Sequence, residues 1–348
     1  MRRLPVFFVM DCSESMAGDP LRHMQDGLSA ILKTLRTDPH ALETVYISII
    51  AFAGIARRIT PLVEICNFYP PALPLGSGTN MGAALDAVMG EIDRNVVRST
   101  PENKGDWRPI VYLITDGRPT DDAEPAINRW KAKYAAKATL IAVGIGPDAD
   151  LNSLRQLTEN LIQFSPNGDA DFKRFIAWVS ASVVAQSKSV GELSDKPVLA
   201  PFNGDFMALI GNAPVARADD SCVTLVGRCA QTRKPYLIKY VAMARNIEGL
   251  QIRLDRLQYS LAGCFPLEES FFEWSDGGVA NHMVNTDQLD GTPGCPHCGA
   301  GTAFAVCGCG GLMCCNGPGE AKCPWCDKLT VFASSAAETG FNVQRSRG

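Results

Sequence analysis

Along residues 1–188, short apolar runs rich in β-branched side chains alternate with longer stretches whose apolar positions recur every three to four residues. That alternation marks strands and amphipathic helices following one another in βα order. It predicts strands at 4–11, 45–53, 58–64, 110–116, 139–144 and 161–163, most of them apolar at nearly every position. Strands with two apolar faces belong inside a largely parallel sheet covered by helices on both sides. Helices are expected at 20–36, 80–97, 122–136, 151–158 and 171–187. Several open on Asp, Asn or Pro, which cap or tolerate the free N–H groups of a first turn. The break at Ala53-Gly54 reads as a hairpin and places one antiparallel strand at a sheet edge. The expected fold is α/β, a doubly wound, largely parallel sheet.

Beyond residue 188 the pattern changes. Residues 189–201 have the Ser, Lys, Gly, Asp and Pro composition of a linker. Residues 202–290 form a β-rich segment with strands expected at 222–227, 236–242 and 250–254. From 291 to 348, Gly and Cys replace large apolar residues, so a small module there must be held together by something other than burial.

Composition narrows the function classes. With 46% hydrophobic and 20% charged residues, the 348-residue chain is neither disordered nor fibrous. Lys+Arg 33 against Asp+Glu 37 leaves a net charge of -4 and no basic field for a phosphate backbone, so nucleic acid is not an expected partner. No apolar run approaches the roughly 18 residues of a membrane span. The N-terminal MRRLPVFFVM mimics a signal peptide but runs into Asp11 without a small-residue cleavage site. It reads as a buried strand, and the chain is expected to be cytosolic. Eight of the 13 cysteines lie between Cys295 and Cys326, and in a reducing compartment such clustering points to metal rather than disulfides.

The first strand ends in Asp11-Cys12-Ser13-Glu14-Ser15, in which every second side chain carries an oxygen. Gly76-Ser77-Gly78-Thr79-Asn80 leads into a helix, and Thr115-Asp116-Gly117 closes another strand. All three fall at the carboxyl ends of strands, where open α/β sheets bind ligands. Two carboxylates and two or three hydroxyls suit a hard divalent cation such as Mg2+. Gly76, Gly78 and Gly82 do not make a nucleotide loop, because G-x-G-x-x-G would need glycine at Met81. The Asp121-Asp122 pair is expected to start the helix that precedes Trp130. D-x-S-x-S, Thr79 and T-D-G together resemble the metal-ion-dependent adhesion site of von Willebrand factor A domains. That resemblance implies Mg2+, or Mn2+ or Ca2+, held by Asp11, Ser13, Ser15, Thr79 and Asp116, with one position open to a carboxylate from outside the chain.

The cysteine stretch reads Cys295-Pro296-His297-Cys298, Cys307-Gly308-Cys309, Cys314-Cys315 and Cys323-Pro324-Trp325-Cys326. A two-residue spacer lets both thiolates of a pair bind one tetrahedral Zn2+, and paired knuckles frame zinc ribbons. The simplest grouping joins Cys295, Cys298, Cys323 and Cys326. It leaves Cys307, Cys309 and Cys314 for a second zinc, completed by Cys315 or His297. Pairing the first knuckle with the middle cysteines is the alternative. His297 is expected to point outward, and His23, His40 and His282 to play structural roles. CPHCG, CxCGGLxC and CPWC after an A-type domain resemble the C-terminal metal-binding domain of TerY-type tellurite-resistance proteins, with Cys315 an addition to the pattern.

The combined resemblance implies a cytoplasmic, non-enzymatic adaptor in a tellurite or chemical-stress resistance system. Its Mg2+ would capture an Asp or Glu of a protein partner, and a protein kinase and a metal-dependent protein phosphatase are the implied associates. A subunit of a nucleic-acid repair or transcription assembly is the alternative, weakened by the lack of a basic stripe between Cys295 and Lys328. A metal-assisted hydrolase would need a positioned base, which the strand ends do not offer.

Overall fold

The computed structural model describes residues 2–102, 104–116, 118–146, 149–166, 168–188, 199–201, 207–209, 222–243, 258–275, 283–332 and 340–345. The chain divides into two units, Met1–Pro74 with Thr79–Arg217, and Leu75–Gly78 with Ala218–Gly348. Among the described residues no helix is long and apolar enough to cross a membrane.

The first unit runs β1 (Leu4–Asp11), α1 (Asp19–Thr37), α2 (Pro39–Thr44), β2 (Val45–Phe52), β3 (Ala56–Glu64), α3 (Met81–Asn95), β4 (Ile110–Thr115), α4 (Glu124–Lys133), β5 (Thr139–Ile145), α5 (Leu151–Arg155), β6 (Leu161–Phe164), α6 (Asp169–Lys188) and β7 (Met207–Leu209). Its sheet has the order β3-β2-β1-β4-β5-β6-β7. The five central strands are parallel, and β3 and β7 are antiparallel at the edges. Strand β1 buries both faces because its side chains alternate. Val6, Phe8 and Met10 meet Leu28, Ile31 and Leu35 of α1 and Phe175 and Val179 of α6 on one side. Phe7 and Val9 meet Leu85 and Val88 of α3 and Ile127 and Trp130 of α4 on the other.

The differences from the sequence reading have local causes. Helix α2 is too short for apolar periodicity to announce it; Asp38 caps it by accepting from Ala41 N at 3.0 Å. Strand β7 comes from the stretch expected to start the β-rich segment, yet it pairs antiparallel with β6 and covers an edge of the first sheet. Only Asp122 of the acidic pair serves the start of α4, accepting from Glu124 N at 3.3 Å. Asp121 instead accepts from Gly82 N and Ala83 N at the start of α3. Gly117, His282, the expected strand at 250–254 and linker residues 189–198 lie outside the described residues.

The second unit contains β8 (Cys222–Arg228), β9 (Pro235–Ala242), β10 (Tyr259–Pro266), α7 (Ser270–Trp274), β11 (Met283–Asn285), β12 (Leu289–Asp290), β13 (Thr302–Val306), β14 (Leu312–Cys315), β15 (Gly319–Lys322), β16 (Leu329–Phe332) and β17 (Asn342–Gln344). The boundary expected at 290/291 falls inside one sheet of order β12-β10-β9-β8-β14-β13. Strand β14 of the cysteine-rich stretch lies parallel to β8. The cysteine-rich stretch has few apolar residues of its own, so it packs Ala300, Ala303 and Leu312 on Val223, Leu225, Tyr236 and Ile238. The β15/β16 hairpin is a separate two-stranded sheet.

Candidate metal centres

Strand β1 is the point where strand order reverses, with β2 on one side and β4 on the other. In an open α/β sheet this leaves a crevice beyond the carboxyl ends of the strands. Asp11 ends β1 opposite Phe52, and Cys12 N donates to Phe52 O at 2.7 Å as the chain leaves the sheet. The Asp11 carboxylate accepts from Ser13 N at 2.8 Å and from the Thr115 hydroxyl at the end of β4. The Ser13 and Ser15 hydroxyls are 2.9 Å apart, and Ser15 Oγ donates to Asp116 Oδ1 at 2.8 Å. Four of the five oxygen residues expected from the sequence are thus joined by hydrogen bonds. The fifth, Thr79, sits before α3, where Asn80 N donates to Ala53 O just past β2 at 2.8 Å.

Two features show that these residues suit a cation. Thr79 is 1% exposed, and its hydroxyl is buried with no hydrogen-bond partner. Such an orphan costs about 1–3 kcal/mol unless something ligates it. Burial, and after it the charge of Asp116, pushes the Asp11 carboxyl above its ordinary value, against the pull of hydrogen bonds from Thr115 and Ser13. Asp11, Ser13, Ser15 and Asp116, joined by hydrogen bonds, offer oxygen donors of the kind hard divalent ions take, and Thr79 adds an unengaged hydroxyl just before α3. Asp11, Ser13 and Ser15 are buried while Asp116 is half-buried, so the group is open on the Asp116 side. Of the intervening residues, Cys12 donates its buried thiol to Met10 O, and Glu14 is fully buried.

Eight cysteines of the second unit form two groups of four. The sulfurs of Cys229, Cys295, Cys298 and Cys314 lie within 4.8 Å of one another, as do those of Cys307, Cys309, Cys323 and Cys326. Tetrahedral Zn–S bonds of about 2.3 Å imply sulfurs about 3.8 Å apart. Cys298 to Cys314 is 3.7 Å, and Cys307 to Cys326 and Cys309 to Cys323 are each 3.8 Å. All of these cysteines are free thiols.

This grouping corrects the expected one. Cys295 and Cys298 do not share a group with Cys323 and Cys326; the first knuckle joins Cys314 and Cys229, the second joins Cys307 and Cys309, and the two sets interleave along the chain. The reason is the sheet, because β14 beside β8 carries Cys314 toward the turn after β8. The ligand missed from the sequence is Cys229, in that turn, where Thr232 N donates to its sulfur at 3.4 Å. Treating Cys315 as an addition leaves seven thiols between 295 and 326, one short of two tetrahedral sets. That shortfall was the signal for an eighth thiol elsewhere. Cys315 stands outside both groups. His297 does not point outward as expected: the ring is half-buried, its Nε2 contacts Pro235 O at 2.7 Å, and it belongs to neither thiol group.

Four thiols this close cannot all ionise without a cation. Burial raises Cys229, but hydrogen bonds from Thr232 and Gln231 overcome it and bring the thiol down to about 6. Burial pushes Cys323 up to about 12 and raises Cys314 further. Zn2+ would hold all four as thiolates.

Residues 6–172 match the von Willebrand factor type A domain family, and residues 219–348 match the TerY-C metal binding domain. Matrilin-3 of Gallus gallus is 28% identical over 160 residues, covering 44% of this chain and 34% of matrilin-3. Inter-alpha-trypsin inhibitor heavy chain H1 of Bos taurus is 26% identical over 158 residues, covering 44% and 17% respectively. The chain therefore spans about a third or less of the length of these curated relatives. Among solved structures, the vWF domain of the type V pili tip protein Mfa5 from Porphyromonas gingivalis is 13% identical with a TM-score of 0.40, covering 56% of this chain and 99% of that one. Proximal thread matrix protein 1 from the mussel byssus, with a zinc occupied MIDAS motif, is 18% identical with a TM-score of 0.38, covering 53% and 48%.

Proposed function

We propose that this chain, a von Willebrand factor type A domain joined to a TerY-C metal binding domain, is a non-enzymatic, metal-dependent protein-binding adaptor. Asp11, Ser13, Ser15, Thr79 and Asp116 would hold Mg2+, with Mn2+ or Ca2+ as substitutes. When bound, the ion supplies a coordination position for an Asp or Glu of the partner. The chain's own contribution is charge economy: three of its five donors are neutral hydroxyls, so its two carboxylates do no more than balance a divalent ion. The half-buried side at Asp116 is where an acidic side chain would arrive. The two cysteine groups would hold Zn2+ as structural centres and fix the second unit as a further contact surface.

The observation that carries this reading is the continuous run of polar contacts from Ser13 through Ser15 to Asp116, beside Asp11. By family resemblance we place the adaptor in a cytoplasmic tellurite or chemical-stress resistance system, serving a protein kinase and a metal-dependent protein phosphatase. Pull-down of those two classes by the zinc-loaded chain tests it. Capture should require added Mg2+ and be lost in Asp116→Ala; capture unchanged by either would overturn the reading.

A further inference from the structure

We infer that Thr120 is a positioning residue for the oxygen centre, gripping the Thr79 backbone from both sides and leaving the Thr79 hydroxyl as the turn's uncommitted oxygen. The inference rests on reading the centre as a Mg2+ site.

Thr79 N donates to Thr120 Oγ1 at 2.8 Å, and Thr120 N donates back to Thr79 O at 2.9 Å. The backbone donor and acceptor of Thr79 are thus both engaged by one residue. The Thr120 hydroxyl then donates to Asn80 Oδ1 at 2.9 Å, and the Asn80 amide in turn donates to Gly54 O. Asp121, next along, accepts from Gly82 N at 3.2 Å and Ala83 N at 3.1 Å, anchoring the first turn of α3, where a negative charge is favoured. Residues 120 and 121 therefore clamp residues 79–83.

The clamp matters because Thr79 and Asp116 reach the centre on different loops. Thr120 follows Asp116 by four residues on the same loop. A bond from Thr120 to the Thr79 backbone therefore sets the spacing between two ligands that no short covalent path connects. Partners of this kind orient a metal's ligands, and losing one costs about 10–100-fold in affinity.

A hydroxyl is required because it accepts from Thr79 N and donates to Asn80 at once; serine can do both and valine neither. That difference gives the test. The zinc-loaded full chain is titrated with Mg2+ by calorimetry, with unfolding midpoints in the absence of Mg2+ measured in parallel. Thr120→Val should weaken Mg2+ binding by about 10–100-fold, and Thr120→Ser should restore wild-type affinity. If the valine variant does not fold, Thr120→Ala takes its place with the same expectation. Valine or alanine variants that bind Mg2+ like wild type, or a serine variant as weak as they are, would overturn the inference. Should wild type bind Mg2+ and Asp116→Ala not, such a result removes Thr120 alone; should wild type bind none, the metal reading falls and the inference with it.

Discussion

The hydroxyl of Ser15 donates to the carboxylate of Asp116 at 2.8 Å across 101 residues of chain. That contact joins the end of β1 to the end of β4, adjacent strands in the sheet, and puts two acidic loops in one crevice. Asp11 and Asp116 repel each other there, which is the arrangement a divalent cation would relieve.

Replacing Asp116 therefore separates metal binding from folding. Asp116→Ala removes a ligand and also the like charge that raises Asp11. The Mg2+-free variant, relieved of that repulsion but without the Ser15–Asp116 hydrogen bond, should unfold close to the wild-type temperature, while the stabilisation that Mg2+ gives wild type disappears. Thermal melts with and without Mg2+ check both halves.

The pH dependence of the zinc-loaded, Mg2+-free chain should carry the mark of Asp11. Its carboxyl is raised in the folded state by burial first and by Asp116 second. Between the unfolded value of about 4 and that raised value, the folded chain keeps a proton the unfolded chain has released. This contribution makes stability fall as pH rises through the window. Saturating Mg2+ favours the carboxylate and should abolish the fall. Urea midpoints of the zinc-loaded chain across the window, with and without Mg2+, isolate the difference.

Zinc stoichiometry should follow the interleaved groups. Native mass spectrometry of the full chain should count two zinc ions for wild type and for Cys315→Ser, and one for Cys229→Ser. Retention of both ions by Cys229→Ser would contradict the assignment of Cys229, and loss of an ion from Cys315→Ser would contradict the exclusion of Cys315.

Gly82 has no room for a side chain. A Cβ there would sit 2.7 Å from Asp121 Oδ2 and 3.1 Å from Ala123 Cα. Gly82→Ala should cost about 1–3 kcal/mol of stability by overpacking, read from the urea midpoint.

The first unit was legible because its signals are local. A strand such as β1, apolar on both faces, can only be central, and D-x-S-x-S at its end marks the crevice. The second unit was not, because its organisation is set by a long-range pairing. Nothing near Cys314 shows that β14 will lie beside β8, so the grouping of thiols could not be read from spacing alone. Cys229 stands among strand-like residues without a CxxC partner, so nothing in its own neighbourhood sets it apart from the other scattered cysteines. Asp121 misled for a similar reason: it precedes one helix in sequence and caps another in space.

The central claim is that Asp11, Ser13, Ser15, Thr79 and Asp116 surround one divalent cation. Anomalous diffraction from Mn2+-soaked crystals of the zinc-loaded chain addresses it directly. The predicted result is a manganese peak among the oxygens of these five residues, with the Thr79 hydroxyl in contact with it directly or through one water. A map with no peak in the crevice at saturating Mn2+, or with manganese bound elsewhere on the chain, would contradict the account.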